Sequence, residues 1–182
     1  MKNTKSARSV YIKNTIITLG VAILVIGWSV RDRQKRALSF DSQISAHETH
    51  ASNPIPKSIQ ISGTNIDLEI ETGVIESGVW SISAKGASHL ASSASPGDGG
   101  NIVIYAHNKN HLFGPIRQLD VDEEILIVNS VGDKYTYKIT ETQTVNPNEI
   151  DYVLPKEMEV LTLYTCTGFA DSKRHIVIAK PI

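Results

Sequence analysis

The sequence predicts a mainly β domain, closed or nearly closed into a barrel and preceded by one N-terminal transmembrane helix. Two observations carry the β prediction: short β-favouring runs follow one another after Pro56, separated by turn residues, and no helical period is sustained over three turns. A third carries the helix: Thr15 to Val30 is an uncharged apolar run with basic residues on both sides.

That run, TIITLGVAILVIGWSV, is preceded by Lys2, Lys5, Arg8 and Lys13 and followed by Arg31, Arg33, Lys35 and Arg36. It is slightly short for a span of about 17 to 25 residues, but flanking Lys and Arg can snorkel and Trp28 suits an interface. No small-x-small cleavage site follows it, so an uncleaved signal anchor is expected over 15–30, behind a basic tail over 1–14. Basic residues are equal on the two sides, so charge alone leaves the orientation open. Residues 31–56 are polar, with Ser, His, Asn and two prolines, and read as a linker to a domain over 57–182.

The net charge of -1 hides an asymmetry. Residues 1–36 carry eight Lys or Arg and one acid, about +7, whereas residues 37–182 carry ten and eighteen, about -8. A basic tail beside an apolar run suits membrane lipid; an acidic domain argues against nucleic acid as a partner.

The expected strands are 57–62, 65–70, 101–106, 124–129, 134–140, 159–165 and 175–180. Ile125, Ile127, Tyr135, Tyr137 and Ile139 alternate with polar residues, as half-buried strands do, and Gly132-Asp133 between two runs signals a hairpin. The stretches Asn101-Ile-Val-Ile-Tyr-Ala106 and Val160-Leu-Thr-Leu-Tyr164 are nearly continuous and apolar, which predicts central strands covered on both faces. His107 and Cys166 stand at their C-terminal ends.

Cys166 is the sole cysteine, which excludes an intrachain disulfide and a multi-thiolate zinc site. A lone cysteine after an apolar strand is often a buried filler. Its place where the run stops, ahead of Thr167-Gly168, favours a strand mouth. Residues 37–182 contain only two arginines, Arg117 and Arg174. A hairpin through Thr167–Lys173 would set the Arg174 strand beside Cys166, where a guanidinium could hold a substrate carbonyl or an oxyanion. Of six histidines, His47 and His50 fall in the linker, and His175 should face away from Arg174 by strand alternation. His89, His107 and His111 remain, and His107 at the end of the most apolar strand suits a general acid or base. Asp171 is read as a loop residue. No metal site is expected; Asp120-Val-Asp-Glu-Glu124 could hold Ca²⁺, although such runs more often form solvated turns.

Thr162-Leu-Tyr-Thr-Cys166 followed by Arg174-His-Ile-Val-Ile resembles the TLxTC signature and downstream arginine strand of the sortases. Ser95-Pro-Gly97, Gly100-Asn-Ile-Val-Ile-Tyr-Ala-His107 and Leu112-Phe-Gly-Pro-Ile116 are similar to the segments around that family's catalytic histidine. The likeness covers about residues 55–182 and looks most like class D or a related compact class. It implies an eight-stranded sortase-type barrel and a single-pass membrane protein, N-terminus inside, catalytic domain extracellular. It implies Cys166, His107 and Arg174 as the catalytic residues, with Thr165, Ala106 and Asn108 beside the substrate; the family often has Gly where Ala106 stands. The implied reaction cleaves an LPxTG-like sorting signal of secreted proteins through a Cys166 thioester. An amine acceptor, either a peptidoglycan precursor or a pilin lysine, then takes the acyl group, with no cofactor required. The alternatives are a membrane-tethered cysteine endopeptidase with water as acceptor, and a non-catalytic extracellular β-barrel binding module with an inert Cys166.

Overall fold

The computed structural model of the chain describes residues 17–27, 54–76 and 78–182. Residues 17–27 form a helix with exposed apolar side chains. Among the described residues no helix is long and apolar enough to cross a membrane. The basic tail over 1–14, the two ends of the expected 15–30 span, and the linker as far as residue 53 lie outside the described residues.

The second unit is a closed barrel in the order β1-β2-β5-β6-β9-β10-β8-β7. Its strands are β1 (Pro56–Ile61), β2 (Asp67–Gly73), β5 (Ala87–Leu90), β6 (Asn101–Tyr105), β7 (Glu124–Asn129), β8 (Lys134–Val145), β9 (Val160–Thr167) and β10 (Lys173–Pro181). A separate two-stranded piece, β3 (Ile75–Glu76) with β4 (Val79–Trp80), lies between β2 and β5. β2 with β5 and β6 with β9 run parallel, and the other neighbours are antiparallel. The ring closes where β7 pairs β1, with Ile59 opposite Ile127. Closure removes the exposed sheet edge that an open sheet of this size would carry.

Strand alternation sorts side chains into two apolar layers. Ile59, Ile102, Ile104, Ile125, Ile127, Ile139, Leu161 and Leu163 fill the barrel interior, all without solvent exposure. Each such side chain gains about 1.5–3 kcal/mol on leaving water. On the opposite face of β6, β9 and β10 lie Val103, Tyr105, Tyr164, Cys166 and Ile176, in a second cluster with Trp80. Tyr105 stacks on Tyr164 with centroids 5.2 Å apart, and Trp80 meets both edge-on at 5.3 and 5.9 Å. The Tyr105 hydroxyl donates to the Ser81 carbonyl at 2.7 Å and tucks against Gly73, where any Cβ would collide with it. β6 and β9 are therefore covered on both sides, as their apolar runs predict.

The Gly132-Asp133 turn forms as expected: Asn129 N–H donates to Asp133 O at 3.0 Å and Gly132 takes φ 98°. Three expectations change. β8 continues past Thr140 to Val145 through the polar Glu141-Thr-Gln-Thr, because β10 pairs with it as far as Arg174↔Val145. β9 runs on to Thr167, so Cys166 lies within the strand. β5 and the β3–β4 piece were not anticipated; Ala87-Ser-His-Leu90 is too short and mixed to show a period, and it is a strand because β2 and β6 flank it.

Candidate active site

The parallel pairing of β6 with β9 ends at Tyr105↔Tyr164, so His107 and Cys166 each stand two residues beyond the last paired position, at the same end of two adjacent strands. The Thr165 hydroxyl donates to the Ala106 carbonyl at 2.8 Å and ties the residue before the cysteine to the residue before the histidine. Across the antiparallel ladder Arg174 is the direct partner of Cys166. Directly opposed residues project to the same face, so both side chains lie on the outer face of the barrel. The Lys109 and Phe113 N–H groups both donate to the His107 carbonyl, at 2.8 and 3.1 Å, and fold the chain back immediately after the histidine.

Cys166 is 5% exposed and Arg174 3% exposed, while His107 is half-buried. Cys166 thus stands where the β6–β9 pairing ends but is buried there, because Tyr164, Tyr105 and Trp80 extend the apolar cover to the end of the strand. Burial pushes the thiol up to about 12; Arg174 acts to lower it and Asp171 to raise it. Burial lowers His107, Lys109 lowers it further, and Asp171 raises it. The Arg174 Nη1 donates to the carbonyls of Asp171 and Lys173, both at 3.0 Å, which fixes the guanidinium against the β9–β10 turn.

The other expected site residues are placed differently. Thr165 and Ala106 are fully buried, the Thr165 hydroxyl bonded to the Ala106 carbonyl; alternation turns Thr165 inward when Cys166 faces out. Asn108 is half-buried beside His107. His89 is buried, its Nε2 contacting Ala94 O at 2.9 Å and Ser93 Oγ at 3.1 Å, and belongs to the 89–94 turn. His111 is exposed, and His175, partnered with Thr165 in the ladder, contacts Thr144 on the neighbouring strand. His47 and His50 lie outside the described residues.

Within the acidic run, the Glu123 carboxylate accepts the Asp120 N–H at 2.9 Å, and among the described residues no group of three or more His, Cys, Asp or Glu could hold a metal ion. A surface cavity of about 540 Å³ beside the 3-10 turn Gly114–Gln118, lined by Thr64, Asn65, Asn110, Arg117 and Glu123 among others, contains none of Cys166, His107 or Arg174. Sequence reasoning missed the aromatic floor of Trp80, Tyr105 and Tyr164. The aromatic at the end of each apolar run was the available signal.

A closed β-barrel with a cysteine, a histidine and an arginine on its β6–β9–β10 face has the architecture of a thiol acyl-transfer enzyme. Residues 59–182 match the Sortase domain family, and the chain belongs to the sortase family, whose members are cysteine transpeptidases. No curated protein sequence matches the chain. Among solved structures it is similar to the pilus-related sortase C of Group B Streptococcus, at 25% identity and TM-score 0.60, over 72% of this chain and 69% of that one. It is also similar to sortase C from Clostridium perfringens SM101, at 23% identity and TM-score 0.58, over 73% and 72% of the two chains. Listeria monocytogenes sortase A matches at 23% identity and TM-score 0.59, over 71% and 87%.

Proposed function

We propose that this chain is a membrane-anchored transpeptidase that cleaves an LPxTG-like sorting signal and transfers the acyl group to an amine. The observation that carries the reading is the Cys166↔Arg174 register, with His107 at the same end of the neighbouring strand. The Cys166 thiolate attacks the carbonyl of the scissile peptide bond, and Arg174 receives the developing oxyanion. The tetrahedral intermediate collapses, the C–N bond breaks, and His107 as imidazolium protonates the departing amine. A thioester remains on Cys166. The acceptor amine, from a peptidoglycan precursor or a pilin lysine, attacks this thioester while neutral His107 takes its proton.

With the thiol pushed up and the imidazole pushed down, most molecules at neutral pH hold both groups uncharged, and the thiolate–imidazolium pair is a minor population. Slow turnover is the expected consequence. The apolar run over 15–30 and its basic flanks support a single-pass anchor, and the likeness to sortases, not the charge balance, supports the N-terminus inside and the barrel outside the cell. Each step as written is carried by Cys166, His107 and Arg174, with no cofactor required.

The test incubates the chain with LPxTG-type peptides and triglycine and follows ligated product by mass spectrometry. Cys166→Ala should lose both ligation and cleavage. Ligation that survives this change would sink the mechanism, and cleavage without ligation at saturating triglycine would make water the acceptor and the chain an endopeptidase.

A further inference from the structure

The cavity of about 540 Å³ beside the 3-10 turn Gly114–Gln118 holds none of the three reacting side chains, yet the strand register puts it at their end of the barrel. β10 starts where β9 ends, with Arg174 opposite Cys166, and β5 starts beside the end of β6, with Ser88 opposite Tyr105. β2 runs parallel to β5, so it starts at that end too and brings the β1–β2 turn over 62–66 with it. β7 begins opposite the end of β1, Ile125 against Ile61, which sets Glu123 on the same rim. The cavity lies between that turn and the chain that leaves His107 for β7.

That chain is pinned. The Leu112 and Gly114 N–H groups both donate to Lys109 O at 2.9 Å, in addition to the two bonds to the His107 carbonyl. A Cβ on Gly114 would stand 2.7 Å from Lys109 O, so the 3-10 turn closes on the histidine turn only with glycine there. Asn110, in one wall of the cavity, is therefore fixed to the turn that carries His107. It is three residues from the histidine, and three extended residues reach at most about 11 Å.

The lining is polar and largely uncommitted. Arg117 donates through Nε to Gly114 O at 3.2 Å, and the Glu123 carboxylate accepts the Asp120 N–H. Among the described residues, the side-chain amides of Asn65, Asn110 and Gln118 and the Nη groups of Arg117 make no hydrogen bond to protein. Amides donate and accept, a guanidinium fork fits a carboxylate, and Glu123 accepts, which together complement a peptide backbone and its carboxylate. Among the described residues no aromatic side chain lines the cavity, so a sugar ring has no face to stack on.

We propose that this cavity binds the amine acceptor, taking a short peptide with a free carboxylate whose amino end extends past Asn110 to His107 and the Cys166 thioester. The inference rests on the transpeptidase reading and adds where the second substrate is held. Arg117 receives the carboxylate, and Asn110 and Gln118 bond the peptide groups. An extended triglycine spans about 10 Å, which matches the reach from Asn110 to His107.

The test uses the full-length chain in detergent micelles, an LPxTG peptide, and either triglycine or triglycinamide, which lacks the carboxylate. The parent should show a KM for triglycine about fivefold below that for triglycinamide, as a solvent-exposed charge pair allows. Arg117→Gln should abolish this preference by raising the KM for triglycine, with kcat within about twofold of the parent. Asn110→Ala should raise the KM for both amines about threefold, again through KM and not kcat. If that variant does not fold, Gln118→Ala, at an exposed position, carries the same expectation. Equal KM values for the two amines in the parent, or an undiminished preference in Arg117→Gln, overturn the proposal. A lowered kcat in Asn110→Ala with unmoved KM values also overturns it, because the turn would then only support His107. If the parent makes no ligated product, the transpeptidase reading fails separately. Triglycine is then titrated against the isotope-labelled chain by NMR: displaced side-chain amide signals of Asn65, Asn110 and Gln118 support the site, and unmoved signals overturn it.

Discussion

Cys166 begins from an unfavourable position for a nucleophile, since the apolar cluster that holds it in place also disfavours its thiolate. Arg174 pulls the thiol down without offsetting burial, and the result is about 12 against an ordinary value near 8.5. The consequence can be measured in the free enzyme. Alkylation by iodoacetamide should keep rising by about tenfold per pH unit through pH 10, where an unperturbed thiol would already have levelled off. A plateau between pH 6 and 8 would mean that pairing with His107 forms the thiolate in the resting enzyme, and would contradict the burial argument. Arg174 itself is held by two backbone carbonyls, which orients its fork and reduces the ordering needed when an oxyanion forms.

At the scale of elements, the site depends on how the ends of β6 and β9 are joined. The Thr165–Ala106 bond crosses that junction inside the barrel, out of reach of solvent. Thr165→Val keeps the shape, removes the donor and leaves the Ala106 carbonyl buried without it, a loss of about 1–3 kcal/mol. The urea midpoint should fall accordingly, and kcat should fall further than stability alone explains, because Ala106 precedes His107. A variant with a lowered midpoint and unchanged kcat would show that the bond stabilises the barrel without aligning the histidine. The same junction explains what was legible in advance. The apolar runs of β6 and β9 marked central strands, and the chain order of His107, Cys166 and Arg174 together with one hairpin implied the Cys166–Arg174 pairing. β5 was illegible because a four-residue strand takes its identity from neighbours distant in sequence. The inward direction of Thr165 follows from alternation: a strand residue next to the nucleophile in sequence lies on the opposite face.

For the molecule as a whole, the two layers bury histidines at several points, and this couples stability to pH. Burial is the largest influence on His89, His107 and His175, and it lowers all three. A histidine with a depressed pKa in the folded chain binds its proton more readily once unfolded. Between the unfolded value, near 6.5, and the lower folded value, the unfolded state therefore carries more protons, and unfolding becomes easier with each step toward acid. As far as these histidines are concerned, stability should be full near pH 7 to 8 and fall progressively as the pH drops below 6.5. His89 should contribute most: it is 2% exposed, whereas His107 and His175 are only half-buried and their charged forms are better solvated. Its Nε2 lies 2.9 Å from Ala94 O, a contact that the side-chain amide of Gln can reproduce without titrating. Urea midpoints of the parent and His89→Gln, taken at pH 7.5 and 5.5, should show a marked acid loss in the parent and a shallower one in the variant. Equal losses would assign the acid sensitivity to groups other than His89 and remove burial of this histidine as its cause.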